Sequence, residues 1–450
     1  MRVRRSPSPS RVAQGSASRS ASRRAKPETR ALDHARAVPA GAQRPGRAVP
    51  QEAGPDGAAR GPSGRAAWHY AKHVSALLDP DAETRAARRH VRYAQRQVLW
   101  DVSRIERVRK CGRVPGAGGD VWIRNNEGVA HYAGLTTCGS IWACPVCSAK
   151  IRNHRAEEIS TATAAWDRQG NEVYMATFTA PHDLGMKLKP LLSTIADGFR
   201  HVVAGRAWVK LKKQLRIVGQ IRSMEITHGE HGWHPHLHVL IYIDGQLGAL
   251  GLAQLVMHLR DRWADFITRA GYRPPHEDHG VKVDRCTSAT EAGLYIAKTQ
   301  DGRSVGNEIA RGDLKQGRRG GRVPFEVLDD FRWTGDAGDL QLWHEYEQAT
   351  KGRQCITWSK GLRALLLGGH EEKTDEEVAA EEIGGEDVAV IPGDTWRAVT
   401  RVPGLPAALL DACERAGLDG INELLGRFGL GAVAPPPPLI RHGEALSFTV

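Results

Sequence analysis

With 450 residues, the chain is long enough for two or three domains and at least one large hydrophobic core. Its formal net charge of +12 favours a polyanionic partner such as nucleic acid. No apolar run approaches the roughly 18 residues of a transmembrane helix, and the basic start lacks the apolar stretch of a secretory signal, so we expect no membrane partner. Seven cysteines, four of them around a Cys-x-x-Cys, favour a metal site in a reducing compartment over a disulfide framework.

Residues 1–66 are built mainly from Arg, Ser, Ala, Pro and Gly, with 14 Lys and Arg against 4 Asp and Glu. Such a segment cannot bury enough apolar surface to offset its ordering entropy, so we predict a disordered basic tail. The tail either adds non-specific affinity for DNA or is dispensable, as an over-long start to the reading frame would be. An organellar transit peptide is a weaker alternative, because runs of Pro and Gly interrupt an amphipathic helix.

Residues 67–160 are predicted to form a helical and zinc-binding module with four cysteine ligands. These are Cys111, Cys138, Cys144 and Cys147. The Cys-Pro-Val-Cys turn holds two thiolates close enough for one tetrahedral ion, and Cys138 lies six residues before Cys144. Cys111 is the expected fourth ligand, with His131 and His154 as alternatives. The alternative is that no metal binds and that these are four unconnected thiols in a small core.

Residues 161–366 are predicted to form an α+β domain. Apolar alternation predicts strands over Val173–Thr179 and Ile217–Thr227, and an apolar run predicts a third, buried strand that ends at Ile243. The turn at Gly229–Gly232 joins the last two strands into a hairpin. A helix is expected over residues 187–213.

Three histidines share one face of the third strand, because alternate side chains of a strand point the same way. They are His234, His236 and His238. Imidazoles spaced like this can hold one divalent ion from one side and leave other coordination positions open, as a catalytic metal requires. Glu225 lies across the predicted hairpin and would complete the site. The alternatives are surface histidines and a Glu225 that pairs with a lysine at the sheet edge.

The stretch that begins at Ser288 predicts a helix, because Ser288 and Glu291 have the spacing of a capping box. Within it Glu291, Tyr295 and Lys298 are spaced four and three apart, so they share one helix face. An acid, a phenol and an ammonium group aligned in this way can form a nucleophile and its helpers. A helix cap, a core tyrosine and a solvated lysine are the alternative.

Three segments follow this helix. Residues 301–323 form a basic loop suited to phosphates, or a solvated linker. Its candidate DNA-binding residues are Arg311, Lys315, Arg318, Arg319 and Arg322. Residues 367–392 are predicted to be a disordered acidic linker, and residues 393–450 a small helical C-terminal module and tail of unassigned function.

These stretches resemble one family, the rolling-circle plasmid replication initiators of the HUH endonuclease superfamily. Trp233-His234-Pro235-His236-Leu237-His238-Val239-Leu240 resembles the HUH motif, and Thr177-Phe178-Thr179-Ala180-Pro181-His182 resembles the first strand motif. Glu291-x-x-x-Tyr295-x-x-Lys298 resembles the third motif of the single-tyrosine plasmid branch. The stretch from Cys138 to Cys147 is similar to variants from actinomycete plasmids. The resemblance covers about residues 100–365 and neither tail.

The resemblance implies an HUH-type central antiparallel sheet flanked by helices, with the Cys-rich module before it, and a site- and strand-specific DNA nickase. His236 and His238, with Glu225, would hold Mg²⁺ or Mn²⁺. Tyr295 would attack the scissile phosphate to give a 5′-phosphotyrosyl link and a free 3′-hydroxyl primer, helped by Lys298, and Glu291 would activate a water at termination.

The implied partners are plasmid origin DNA, with a single-stranded or hairpin nick site, and host helicase and polymerase in the bacterial cytoplasm. Two other functions remain open at this point. One is an HUH transposase or a mobilisation relaxase, since relaxases use three metal histidines and His234 is present. The other is a zinc-containing DNA-binding regulator without catalytic activity.

Overall fold

The computed structural model of the chain describes residues 82–287, Gly293, 321–368 and 372–436. The predicted basic tail at residues 1–66 lies outside these ranges. So do seven of the predicted site residues, namely Glu291, Tyr295, Lys298, Arg311, Lys315, Arg318 and Arg319.

The helices are α1 (Ala82–Val102), α2 (Glu106–Lys110), α3 (Pro145–Asp167), α4 (Leu188–Val202), α5 (Gly205–Gln214), α6 (Ala249–Arg269), α7 (Pro324–Thr334), α8 (Ala337–Thr350), α9 (Leu362–Leu367), α10 (Asp375–Ala380), α11 (Gly393–Val399) and α12 (Leu405–Arg427). The strands are β1 (Val121–Asn126), β2 (Val129–Ala133), β3 (Glu172–Thr179), β4 (Ile217–Gly229), β5 (Gly232–Ile243), β6 (Val281–Arg285), β7 (Ile356–Trp358) and β8 (Glu386–Ile391). None of these helices is long and apolar enough to cross a bilayer.

Within the described residues, the larger sheet has five antiparallel strands in the order β6-β3-β5-β4-β7. The histidine strand β5 lies in its centre, between β3 and β4. The predicted hairpin of β4 and β5 is present, and Gly229 pairs with Gly232 at its tip. The predicted α+β class, with an antiparallel sheet flanked by helices, is therefore confirmed.

Strand β5 is covered by helices on both sides over its second half. Leu237, Val239 and Ile241 pack with residues of α4 and α6 in one core. Leu240 and Tyr242 point the other way, into a core shared with α3 and α9. Burying side chains of this size stabilises the fold by roughly 1.5–3 kcal/mol each. The histidines occupy the first half of β5, on the same face as Tyr242.

The single helix predicted over residues 187–213 is wrong. The structure has two helices there, α4 and α5, separated at Val203 and Ala204. Gly205 has a φ of +82°, a conformation that glycine adopts without the steric cost of a Cβ atom, and the chain changes direction there. The apolar periodicity continues across the break because Trp208 of α5 joins the same core as Phe199 of α4.

A smaller sheet, in the order β2-β1-β8, corrects the prediction of disorder for the acidic segment. Helix α10 begins with a capping box at Thr374 and Glu377, and Val378 packs in the same core as the cysteines. Strand β8 then pairs with β1, with Ala389 opposite Ile123. In this segment many acidic residues surround the apolar positions of a short amphipathic helix and of a strand. The segment was predicted to be a charged linker for this reason.

The C-terminal helices pack on the β1–β2 hairpin. Trp396 of α11 and Leu409 of α12 are fully buried in one core with Ile123. Arg89 of α1 forms ion pairs with Asp411 and Glu414 of α12. The residues predicted as a zinc module and as a C-terminal module thus share a core, and the described residues belong to one compact unit.

Candidate functional site

The structure brings Glu225, His236 and His238 together on the large sheet. Glu225 lies directly opposite His236 in the ladder of β4 and β5. Glu225 Oε2 is 2.9 Å from His238 Nε2. One ligand atom from each of the three residues lies within 4.8 Å of the others. Atoms spaced in this way fit the coordination sphere of one divalent ion, whose neighbouring ligands lie roughly 3–4 Å apart.

Thr177 of β3 orients the most buried of these ligands. It lies opposite His238 in the β3–β5 ladder, and its hydroxyl is 3.1 Å from His238 Nδ1. When Nδ1 donates its hydrogen to the hydroxyl, the lone pair of Nε2 points at the group around Glu225, as a metal ligand requires. His238 is only 3% exposed, and its contacts with Thr177 at Nδ1 and Glu225 at Nε2 hold its ring orientation. Thr177 belongs to the stretch that resembles the first strand motif, but no role was predicted for it.

His234 lies beside the group but outside its 4.8 Å limit. Its Nε2 is 2.8 Å from His236 Nε2, and its ring stacks on His182 at 4.2 Å between centroids. Burial, together with the charges of His236 and His182, lowers the pKa of His234 to about 3. His234 is therefore neutral at physiological pH and adds no positive charge next to a bound cation.

The four cysteines form a second group, which is completely enclosed. Cys111 Sγ is 3.6 Å from Cys144 Sγ and 3.5 Å from Cys147 Sγ, and Cys138 Sγ is 3.8 Å from Cys147 Sγ. Disulfide sulfurs would be about 2.05 Å apart. A tetrahedral zinc with Zn–S bonds of about 2.3 Å separates its sulfurs by about 3.8 Å. The donor set and spacing thus fit one zinc ion.

The fourth position of this group is filled by Cys111 and not by a histidine. The ring of His131 contacts the carbonyl of Ile383, and His154 pairs with Glu158 on α3. Hydrogen bonds from the other three thiols, that of Cys111 first, hold the pKa of the Cys147 thiol well below its ordinary value. All four sulfurs belong to residues at most 3% exposed, so the cluster offers no open position to a substrate.

A buried arginine adjoins the cysteine group, and the sequence analysis missed it. Arg96 of α1 is 4% exposed and lies over the ring of Tyr93, 4.2 Å from its centroid. Burial by itself would lower the pKa of Arg96, but the charges of Tyr93 and Cys111 outweigh burial and raise it. Its guanidinium also occupies the space that a side chain at Gly112 would need. Arg96 thus offsets part of the negative charge of the four thiolates.

Gly293 is the described residue that lies between Glu291 and Tyr295 in the sequence. Its backbone is helical and buried. A Cβ atom at this position would lie 2.7 Å from the carbonyl oxygen of Ala156 and would collide with Ser160, both on α3. Only glycine allows this close approach, so the motif is packed against α3 at this point.

Arg322 is the one member of the predicted DNA-binding set that the structure describes. Its guanidinium pairs with Asp330 at 2.7 Å and Asp339 at 2.8 Å. Its backbone forms a two-way bridge with His228, near the tip of the hairpin. These contacts hold Arg322 beside the hairpin that contains the histidine strand. Its guanidinium, which was predicted to contact DNA, pairs with two carboxylates in this structure.

Two clusters of metal-ligating side chains on an α+β scaffold define a protein that can carry one enclosed and one accessible metal ion. The chain is 32% identical over 350 residues to Protein rep of Streptomyces lividans, an alignment that covers 63% of this chain and 77% of that protein. It is 33% identical over 303 residues to the Neomycin resistance protein of Streptomyces cyanogenus, covering 52% and 69%. A Protein rep from a Bacillus species is 33% identical over 104 residues, covering 22% and 31%.

The chain therefore belongs to the family of these Rep proteins, as its resemblance to plasmid replication initiators predicted. No family model matches the chain, and no solved structure matches it.

Proposed function

We propose that the chain initiates rolling-circle plasmid replication by nicking one strand of origin DNA. The observation that carries this proposal is the grouping of Glu225, His236 and His238 on the central hairpin of a Rep protein. When bound by these residues, Mg²⁺ or Mn²⁺ would polarise a scissile phosphate and offset the charge that develops on it. Thr177 contacts His238 Nδ1 and so orients the ring with Nε2 facing Glu225.

Tyr295 is the proposed nucleophile. Its phenolic oxygen attacks the phosphorus, the bond to the 3′ oxygen breaks, and the products are a 5′-phosphotyrosyl link and a free 3′-hydroxyl primer. Lys298 favours the phenolate or offsets charge on the phosphate. At termination Glu291 removes a proton from water, which hydrolyses a second phosphodiester. Gly293, the described residue of this segment, approaches Ala156 and Ser160 of α3 closely.

The cysteine group is proposed to hold a structural zinc, because thiolates fill all four positions and leave none for a substrate. The proposed contacts with DNA phosphates are made by Arg311, Lys315, Arg318 and Arg319. Arg322 would anchor the same loop. In the bacterial cytoplasm a host helicase would then separate the strands, and a host polymerase would extend the 3′-hydroxyl.

The test is a nicking assay on a supercoiled plasmid that carries the cognate origin, with Mn²⁺ present. Tyr295→Phe removes one oxygen and should reduce nicking by about a thousandfold or more, because the covalent intermediate cannot form. Tyr174→Phe is the matched control; its hydroxyl bonds to Glu172, away from the histidines, and its nicking rate should stay near wild type. Equal nicking by wild type and Tyr295→Phe would contradict the assignment of the nucleophile.

Two alternative functions are separated by the choice of substrate. The contact between His234 and His236 gives a relaxase with three metal histidines some support. Cleavage at a transfer origin or a transposon end, with none at a replication origin, would favour that class. Origin binding without cleavage of any of these DNAs would favour a zinc-containing regulator.

A further inference from the structure

A cavity of about 340 Å³ lies beside the metal-binding group, between the end of β3 and the loop that joins α6 to β6. Five histidines line it, namely His182, His231, His234, His276 and His279. Three of them, His231, His276 and His279, belong neither to the sequence motifs nor to the proposed cleavage chemistry. Arg273 also lines the cavity, and none of the lining residues is an Asp or a Glu. A cavity of this composition favours an anionic ligand with flat, polarisable groups.

The cavity adjoins the proposed metal site through two of its lining residues. His234 lines it and also contacts His236, with 2.8 Å between the two Nε2 atoms. Thr179, another lining residue, lies opposite His236 in the β3–β5 ladder. A phosphodiester strand whose scissile phosphate lies at Glu225, His236 and His238 would therefore pass its next nucleotide into this cavity.

The loop that forms the far wall is held in place by its own contacts. The Thr179 hydroxyl donates to the carbonyl of His279, and the Gly280 amide donates to the carbonyl of His276 at 2.7 Å. The rings of His276 and His279 stack with 4.7 Å between centroids. The Asp278 amide donates to His276 Nδ1, so this ring keeps its hydrogen on Nε2, where a ligand can accept it. The wall is thus formed before any ligand arrives.

We propose that this cavity binds one nucleotide of single-stranded DNA next to the scissile phosphate, an inference that rests on the proposed nicking function. Arg273 contacts the phosphate, and the histidine rings stack on the base, as aromatic side chains do in single-strand binding sites. The volume lies at the small end of ligand pockets, which span roughly 300–1,000 Å³, and fits one nucleotide but not a duplex.

Arg273 is available for this role although it has a partner. Its Nη2 is 2.6 Å from Asp183 Oδ1, and both side chains are more than half exposed. Exposed pairs of this kind contribute little to stability, so a phosphate can displace the carboxylate. Asp183 does not line the cavity, and it keeps the guanidinium at the entrance until DNA binds.

The binding test uses a short fluorescein-labelled single-stranded DNA of mixed sequence and the full chain without added Mg²⁺ or Mn²⁺, so that cleavage does not contribute and the cysteine group is left intact. Arg273→Gln should weaken binding about tenfold, the effect of losing one charge-assisted hydrogen bond to phosphate. Arg269→Gln is the matched control; it lies four residues earlier, is exposed to a similar degree and pairs with Asp265. Its affinity should stay within about twofold of wild type.

Two further variants test the same contacts without depending on one substitution. His276→Ala should weaken binding by about fivefold or more through lost stacking. Asp183→Asn should leave binding unchanged or tighten it, because the competing carboxylate is removed. Equal affinity of Arg273→Gln and Arg269→Gln would overturn the proposal. So would equal competition by duplex DNA, or by inorganic phosphate alone at the concentration of the DNA phosphates.

The outcome is independent of the nicking assay. If wild-type protein binds single strands through Arg273 but cleaves no origin, the cavity assignment stands and the nicking function fails. If wild type cleaves, and Arg273→Gln binds and cleaves as well as Arg269→Gln does, the nicking function stands and the cavity assignment fails.

Discussion

The cysteine group and the Glu225–histidine group differ in how the surrounding protein treats them. The four cysteines are at most 3% exposed and are joined by residues of α1, α3 and α10 in one core. In the other group His238 is buried, whereas His236 and Glu225 remain partly exposed. Full enclosure suits an ion that stabilises the fold, and an incomplete shell suits an ion that must meet a phosphate. The contrast predicts that the two groups fail in different ways when altered.

The largest effect is expected at the cysteine group. Cys144→Ser removes a thiolate from a buried site, so zinc binding should be lost and the free energy of unfolding should fall by several kcal/mol. Zinc content by mass spectrometry and thermal unfolding would measure this. Cys286→Ser is the control, because Cys286 is partly exposed and outside the cluster, and it should retain zinc. Full zinc content and unchanged stability in Cys144→Ser would contradict a structural zinc.

His238→Ala should have the opposite profile. We expect nicking to fall by about a hundredfold or more, with Mn²⁺ binding lost and zinc retained, because the variant removes a ligand from the open group only. Electron paramagnetic resonance of bound Mn²⁺, the nicking assay and thermal unfolding together separate these outcomes. His258→Ala, on the opposite face of the sheet against Trp208, is the matched control. Loss of zinc or global unfolding in His238→Ala would remove the distinction between the groups.

The smallest effect is a pH dependence that comes from His234. Its pKa is lowered to about 3, against an ordinary value near 6.5, first by burial. Between these values the unfolded chain holds a proton that the folded chain releases, so the free energy of unfolding should fall as pH drops from about 6.5 toward 3. His234→Gln should reduce this slope in urea unfolding at pH 7 and pH 5. Equal slopes in wild type and His234→Gln would contradict this prediction.

The parts of the site that the sequence predicted are those with a local signature. The spacing of Cys144 and Cys147, the alternation around His236 and the short turn after Gly229 each depend on neighbours in the chain, and the structure contains the group or the hairpin that each one predicts. The partners that were missed are distant in sequence. Strand β8 pairs with β1 across about 260 residues, and no local pattern encodes that pairing.

The histidine cavity was missed for a similar reason. His276 and His279 lie in a loop without periodicity, and their role depends on the backbone of β3, nearly a hundred residues earlier. Arg322 was predicted to contact DNA as part of a basic stretch, whereas its ion pairs with Asp330 and Asp339 depend on the arrangement of α7 and α8. The sequence shows where basic side chains are concentrated. Only the packed structure shows which of them already pair with acidic side chains.

Helix α3 gives the cysteine cluster a further consequence. Cys144 is its N-cap residue and Cys147 lies in its first turn. Near its other end the Thr163 hydroxyl hydrogen-bonds to the hydroxyl of Tyr242 in the histidine strand, with 2.8 Å between the oxygens. Between these two points Ala156 and Ser160 form the surface on which Gly293 is packed. About 14 Å of one helix thus separates Cys147 from Ala156, the residue that Gly293 approaches. A disturbance of the cysteine group would therefore be transmitted along α3 to the surface on which Gly293 packs.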